Sequence, residues 1–117
     1  MKNQIWKIFG IYLLVLFLLG AYGSASAQVK AIHFNADWND ANKVEWFNKL
    51  TDCNKKYIDI VEQPDAQKKY EIVVVPTIII FKDGEEVKRF QADISFTMKA
   101  IRKEVQEIID EQNLSDF

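Results

Sequence analysis

The sequence predicts an α/β fold in which a central mixed β-sheet is flanked by helices on both faces. The first observation is the order of elements, β-α-β-α-β-β-α, which the alternating apolar periods give for residues 29–112. The second is the strand–helix–strand unit at the start, which implies two parallel strands joined by a right-handed crossover. The third is the Asp83-Gly84 turn between two strand-like runs, which adds an antiparallel hairpin.

The first half of this pattern is predicted as strand, polar turn, helix and strand. Residues 29–34 form a strand, and the turn at 35–40 offers Asp37, Asn39 and Asp40 as helix caps. Residues 57–61 form the second strand, with Ile58 and either Ile60 or Val61 pointing inward. Between them a helix is expected over residues 41–51, because apolar side chains recur every three residues: Ala41, Val44, Phe47 and Leu50.

The second half is predicted as a short helix, a hairpin and a final helix. Pro64 followed by a capping Asp65 opens a helix that runs through residue 70. The strand at 72–82 is apolar on both faces, but Pro76 cannot donate to a ladder and belongs at the strand start or in a turn. Its partner strand covers residues 86–90. Ser95 is expected to cap the last helix, which ends in a frayed polar tail from residue 112 and has these apolar positions: Phe96, Ala100, Ile101, Val105, Ile108 and Ile109.

The N-terminal 27 residues have the pattern of a secretory signal peptide. Lys2 and Lys7 precede an apolar run at 8–19, and small residues follow, with Ala25 and Ala27 at the positions that a signal peptidase recognises. We expect cleavage after Ala27 and a periplasmic or secreted domain of residues 28–117. The alternative is an uncleaved membrane anchor, since the apolar run is near the lower limit of ~17–25 residues for a membrane span.

The composition of residues 28–117 excludes several classes of function. This part carries 13 basic and 17 acidic residues, a net charge of −4, with no basic stripe that could neutralise phosphates, so nucleic-acid binding is not expected. One His and one Cys cannot build a Cys/His metal site. A single glycine, Gly84, excludes a glycine-rich phosphate loop. We therefore expect neither a metal nor a cofactor.

Two segments resemble the thioredoxin family. Residues 75–85, from Val75-Pro76-Thr77 to Gly84-Glu85, resemble the segment in which a cis-proline precedes a strand of the form Pro-Thr-apolar-apolar-apolar-Phe. Residues 36–43, which include Trp38, are similar to the active-site pattern Ala-x-Trp-Cys-x-x-Cys-Lys. The resemblance covers residues 29–112 and implies a thioredoxin-like fold.

The positions of the family's two cysteines are occupied by Asn39 and Asn42. Dithiol chemistry needs a thiolate of lowered pKa and a second thiol that resolves the mixed disulfide. An amide can do neither, so the resemblance implies a degenerate active site without catalytic residues. The chain departs from the family in three further ways: His33 stands where an acidic residue is usual, Gln91 replaces a small residue, and the stretch from Trp38 to Pro76 is short.

The remaining candidate residues concern binding. The resemblance implies that the backbone of Val75 beside Pro76 could pair with an extended peptide; the alternative is that Pro76 only shapes the loop. Trp38 and Trp46 could form a small recognition patch around the degenerate site, or pack under a loop. These four residues are our predicted binding site.

Cys53 is the lone cysteine of the chain. It leaves three alternatives: an inert free thiol, an intermolecular disulfide that would make a Cys53-linked dimer, or a reactive thiol. A position near the C-terminal end of a helix would raise the pKa of its thiol, whereas Lys55 and Lys56 would lower it.

Three functions therefore compete. The first is a redox-inactive binding or structural module with a protein or peptide partner. The second is an oxidoreductase-related protein that uses Cys53 alone. The third is a membrane-tethered accessory protein that keeps its N-terminal segment.

Overall fold

The computed structural model describes residues 28–114, which form one four-stranded mixed sheet. β1 (Val29–Asn35) lies beside β2 (Asn54–Asp59) in parallel and beside β3 (Thr77–Lys82) antiparallel, and β3 pairs antiparallel with β4 (Glu85–Gln91). The spatial order is β2-β1-β3-β4. The predicted mixed sheet is confirmed, and the predicted signal peptide lies outside the described residues.

Helices lie on both faces of this sheet. Two 3₁₀ helices (Asp37–Asn42 and Glu45–Lys49) connect β1 to β2, α1 (Pro64–Lys69) precedes β3, and α2 (Arg102–Leu114) follows β4. The second 3₁₀ helix and α2 cover one face, whose core is Val29, Ala31, Val44, Phe47, Leu50, Ile78, Ile80, Val105 and Ile109. The segment with α1 covers the other, whose core is Ile32, Phe34, Ala36, Ile58, Ile60, Ile72, Val75, Ile79 and Phe81.

The prediction of one helix over residues 41–51 was wrong, because two short 3₁₀ helices take its place. Lys43 and Val44 have ψ values of 150° and 97°, which interrupt any continuous helix. The apolar spacing of three fits the 3.0 residues per turn of a 3₁₀ helix better than the 3.6 of an α-helix. Val44, Phe47 and Leu50 are accordingly buried, whereas Ala41 is exposed. None of the three predicted capping side chains caps a helix, since Ala36 occupies the N-cap position.

The final helix begins later than predicted. Ser95 lies in a tight turn, where its backbone N–H donates to Oδ1 of Asp93 at 2.9 Å, and α2 starts only at Arg102. The Ile101 N–H is satisfied instead by Oε1 of Glu104 at 3.3 Å, as an acidic residue at that position allows. Of the predicted apolar stripe, Val105 and Ile109 are buried, whereas Ile101 is 55% exposed because it precedes the helix. The helix continues to Leu114, so the tail expected from residue 112 is helical that far.

The other boundaries differ by a few residues for identifiable reasons. Residues 72–76 are a loop and β3 starts only at Thr77, since Pro76 has no N–H to donate; the Val75–Pro76 peptide bond is cis. β2 ends at Asp59, before the buried Ile60, and Val61 is exposed. At α1, Gln63 is the N-cap and Pro64 the first helical residue, so Asp65 is not the cap.

The hairpin turn between β3 and β4 is the two-residue turn that the sequence predicts. Asp83 and Gly84 have φ values of 51° and 85°, both in the left-handed region that a type I′ turn requires.

Candidate functional site

The candidate site lies where β1 ends and the first 3₁₀ helix begins. Asn35 closes β1, and the chain then turns so that Trp38 faces solvent while Asn39 points inward. Trp38 is 63% exposed and Asn39 only 4% exposed. Of the two asparagines at the degenerate cysteine positions, Asn39 is therefore buried, whereas Asn42 lies on the surface.

Asn39 is the centre of a hydrogen-bonded amide network. Its Nδ2 lies 3.1 Å from Oδ1 of the fully buried Asn35, 3.4 Å from the carbonyl oxygen of Val75 and 3.3 Å from that of Phe96. Asn35 returns a bond from its own Nδ2 to the Asn39 carbonyl at 3.1 Å. Nδ2 of Asn42 donates to Oδ1 of Asn39 at 2.8 Å. The two N–H groups of the Asn39 amide are thus shared among three acceptors.

This network joins two neighbouring segments of the chain to two that are distant in sequence. It ties the end of β1, the first 3₁₀ helix, the loop before Pro76 and the loop after β4 to a single side chain. Within the described residues, no buried side-chain polar atom lacks a hydrogen-bond partner. The Asn39 side chain thus links separate segments of the chain by hydrogen bonds, and it offers no nucleophile at this position.

The predicted peptide-pairing residues are covered. Val75 is 2% exposed and Pro76 is fully buried. The carbonyl oxygen of Val75 accepts the bond from Asn39, and that of Pro76 accepts a bond from the Ala92 N–H at 3.0 Å. Nearby, Oγ1 of Thr77 donates to the Val74 carbonyl at 2.6 Å. The Pro76 segment is therefore engaged from within the chain.

Trp38 belongs to an exposed apolar surface that the sequence did not reveal. Its ring meets that of Phe96 edge-on, with 5.2 Å between centroids and an interplanar angle of 88°. Phe96 is 40% exposed, and Ile94, in the same turn, is 98% exposed. We call the two exposed rings of Trp38 and Phe96 the Trp38 surface. The sequence placed Phe96 on the buried face of a helix, which concealed its role.

The backbone of Phe96 holds its ring in place. Its φ of 61° lies in the left-handed region, which is unusual for a bulky residue. The Phe96 N–H donates to the Asp93 carbonyl at 3.0 Å, and the Phe96 carbonyl accepts the bond from Asn39. The amide network thus positions one half of the Trp38 surface.

Trp46 does not share this position. It is half-buried and packs against the core beneath the second 3₁₀ helix. The structure brings Trp38 together with Phe96, and the four predicted binding residues do not form one exposed patch.

His33 is a buried neutral histidine. It is 2% exposed, its Nε2 accepts a hydrogen bond from the Val44 N–H at 3.4 Å, and its ring contacts those of Phe47 and Tyr57 at 5.2 and 4.9 Å. Burial lowers the pKa of His33 to about 4. The histidine lines an open cleft of about 510 Å³ with Asp40, Lys43, Val44, Glu45, Phe47, Asn48 and Tyr57.

Cys53 lies at the opposite end of the sheet from Asn39. Its neighbour Asn54 pairs with Lys30 near the start of β1, whereas Asn39 follows the end of β1, about 16 Å away along the strand. Cys53 is half-buried against the core, and burial raises the pKa of its thiol, while Lys55 lowers it and Asp52 raises it. The site and the thiol are therefore separate.

Two kinds of feature are not found within residues 28–114. No group of three or more His, Cys, Asp or Glu side chains in this range is placed to hold a metal ion. None of the helices there has the length and hydropathy needed to cross a membrane.

Curated proteins that match the chain are thioredoxins. The thioredoxin of Mycobacterium tuberculosis is 37% identical over 41 residues, which are 35% of this chain and 35% of that protein. The thioredoxin of Staphylococcus epidermidis is 47% identical over 32 residues, 27% of this chain and 31% of that protein. The chain thus spans about a third of the length of the curated relatives it matches. No protein-family model matches the chain.

Solved thioredoxin structures match over much more of the chain. A mutant thioredoxin from Halobacterium salinarum superposes with a TM-score of 0.60 at 24% identity, covering 81% of this chain and 82% of that one. The thioredoxin of Fasciola hepatica gives a TM-score of 0.56 at 25% identity, covering 81% and 90%. The shared fold therefore extends well beyond the segments that match in sequence.

Proposed function

Since the chain is a member of the thioredoxin-like superfamily with one cysteine and no Cys-x-x-Cys pair, we propose that it binds an extended polypeptide at the Trp38 surface without thiol–disulfide exchange. The observation that carries the proposal is the 63% exposed Trp38 held against Phe96 by the amide network. Large exposed aromatic side chains on a rigid frame are typical of protein-recognition sites.

The amide network supports a binding role because it fixes the surface in advance. A preformed site loses little conformational freedom when a partner docks, which favours affinity. Nδ2 of Asn39 donates to the Phe96 carbonyl, which holds the Phe96 loop, and to Oδ1 of Asn35, which holds the end of β1. The network thus uses the degenerate cysteine position for rigidity.

Because Val75 is buried, we propose that a partner binds through side-chain contacts with the Trp38 surface. With the Val75 carbonyl bonded to Asn39, a partner gains most from burying the rings of Trp38 and Phe96. Val75 and Pro76 then act as a support beneath the surface, which replaces the direct backbone pairing expected from the sequence.

The raised pKa of Cys53 argues against the single-thiol alternative. A thiol must ionise to act as a nucleophile, and burial opposes this at Cys53. Cys53 also lies at the opposite end of the sheet from Asn39, so it is not part of the Trp38 surface. We further propose that the domain works in the cell envelope, on the basis of the signal-peptide pattern at residues 1–27.

Reduced and alkylated insulin chains test the binding proposal, because they are unfolded polypeptides without free thiols. Titration calorimetry with the purified protein should give measurable binding that Trp38→Ala weakens about tenfold or more, as expected for the loss of an aromatic anchor. Val87→Ala, another exposed apolar side chain, is the matched control on β4 and should bind like the parent. Equal binding by the parent and Trp38→Ala would reject the Trp38 surface as the site.

A further inference from the structure

The Trp38 surface has an acidic border on the side of β2. Asp37 and Asp40 are both exposed and are three residues apart in the first 3₁₀ helix. The backbone is kinked at Asn39, which separates the turn that carries Asp37 from the turn that carries Asp40. Asp37 immediately precedes Trp38 and Asp40 follows it by two residues, so both exposed carboxylates belong to the segment that carries the ring.

The ring of Tyr57 shows where these charges converge. Burial raises the pKa of Tyr57, and the negative charges of Asp59, Asp40 and Asp37 raise it further, while a hydrogen bond from Asn35 opposes the shift. Asp40 and Tyr57 also line the same cleft, so the ring lies beside the acidic segment. Tyr57 itself is 45% exposed, so this region is accessible from solvent.

No cation among the described residues forms an ion pair with this border. Lys99 is engaged by Asp93 at 3.2 Å, on the loop side of the surface. Lys43 shares its cleft with Glu45 as well as with Asp40. Among the described residues, Asp37, Asp40 and Asp59 form no ion pair within 4.0 Å, so their charges stay available to a partner.

We infer that the Trp38 surface selects extended peptides in which an apolar side chain is flanked by lysine or arginine. The apolar side chain covers Trp38 and Phe96, and a cation one or two residues along an extended chain, ~3.3 Å per residue, reaches the carboxylates of Asp37 and Asp40. The exposed ring of Trp38 offers a second place for a cation, on its face. This inference rests on the proposed peptide-binding function and specifies its substrate class.

Two short synthetic peptides test the inference. Both have a Val-Phe-Val centre, with two lysines on each side in one and two glutamates on each side in the other. We expect the lysine peptide to bind about tenfold more tightly at low salt, and the ratio to fall to about threefold or less near 0.3 M salt, because solvent-exposed charges are screened.

A pair of charge-matched variants locates the effect. Asp37→Asn with Asp40→Asn should remove most of the preference for lysine while retaining the apolar contribution. Glu107→Gln with Glu111→Gln removes the same charge from the exposed face of α2 and should retain the full preference. A loss of equal size in both variants would mean that only the net charge of the protein matters, and the inference would be wrong.

The outcomes separate the inference from the proposal beneath it. If both peptides bind equally at every salt concentration, the peptide-binding function stands and the cationic preference is rejected. If neither peptide binds and alkylated insulin chains also fail to bind, the proposed function itself is rejected, and the inference with it.

Discussion

Replacing Asn39 with alanine tests whether the hydrogen bonds of this side chain stabilise the fold. The substitution removes the side-chain contacts to Asn35, Val75 and Phe96 and leaves buried acceptors without a donor. A typical hydrogen bond contributes about 0.5–1.5 kcal/mol, and an orphaned buried group costs about 1–3 kcal/mol. We therefore expect the free energy of unfolding to fall by about 2–4 kcal/mol, a large fraction of the ~5–15 kcal/mol typical of a domain.

Urea unfolding followed by far-ultraviolet circular dichroism measures this loss without relying on the nearby tryptophan. Asn42→Ala is the matched control, because it removes a surface amide with one bond to the same network and should cost under about 1 kcal/mol. If the free energy of unfolding of Asn39→Ala stays within about 0.5 kcal/mol of that of the parent, the amide network does not stabilise the site.

Three further predictions concern the stability of the fold. His33 stays neutral in the folded state until the pH falls to its pKa of about 4, whereas a histidine in the unfolded chain takes up a proton near pH 6.5. The free energy of unfolding should therefore be full above pH 6.5 and fall by about 3 kcal/mol on acidification to pH 4. In pH-dependent urea unfolding this loss should be shallower in His33→Gln, and identical slopes for the variant and the parent would contradict the assignment. Gly84→Ala should cost about 1 kcal/mol, because its φ of 85° is unfavourable for alanine although no atom lies within 4 Å of an added Cβ, and Gly84→Asn should cost less; equal melting temperatures for Gly84→Ala and the parent would refute this. Ile109→Ala should cost about 2–5 kcal/mol through a cavity in the fully buried stripe of α2, against little change for the half-buried Ile108→Val; a loss under about 1 kcal/mol in thermal unfolding would show that α2 contributes little to the core.

The sheet could be predicted from the sequence because its signals are local. Residues 72–82 are apolar on both faces, Asp83-Gly84 defines the hairpin, and the strand–helix–strand order implies a parallel pair. The structure confirms the mixed sheet and its pairings. The same holds for Val105 and Ile109, whose helical spacing alone indicates burial.

The connections could not be predicted, since tertiary contacts decide them. The spacing of Val44, Phe47 and Leu50 indicates a buried stripe, but it does not distinguish an α-helix from two 3₁₀ turns. Ser95 is a good cap by residue type, yet Asp93 binds it into a turn instead. That turn exposes Phe96, which a helical interpretation buries.

The sequence predicts several residues of the site but not how their side chains are arranged. The sequence identifies Asn39, Trp38 and Pro76, but side-chain direction at the end of β1 depends on the fold. Burial of Asn39 follows from its partners Val75 and Phe96, which are 36 and 57 residues away in sequence. No local pattern carries such long-range contacts.

Reduction of the insulin disulfides by the purified protein in the presence of a reductant tests whether the protein lacks thiol–disulfide exchange activity, with Cys53→Ser as the control. We expect that neither the parent nor Cys53→Ser raises the rate above that of the reductant alone, because Asn39 and Asn42 supply no thiol and burial raises the pKa of Cys53. A rate that exceeds that of the reductant alone and disappears in Cys53→Ser would contradict the absence of thiol–disulfide exchange and establish a single-thiol mechanism.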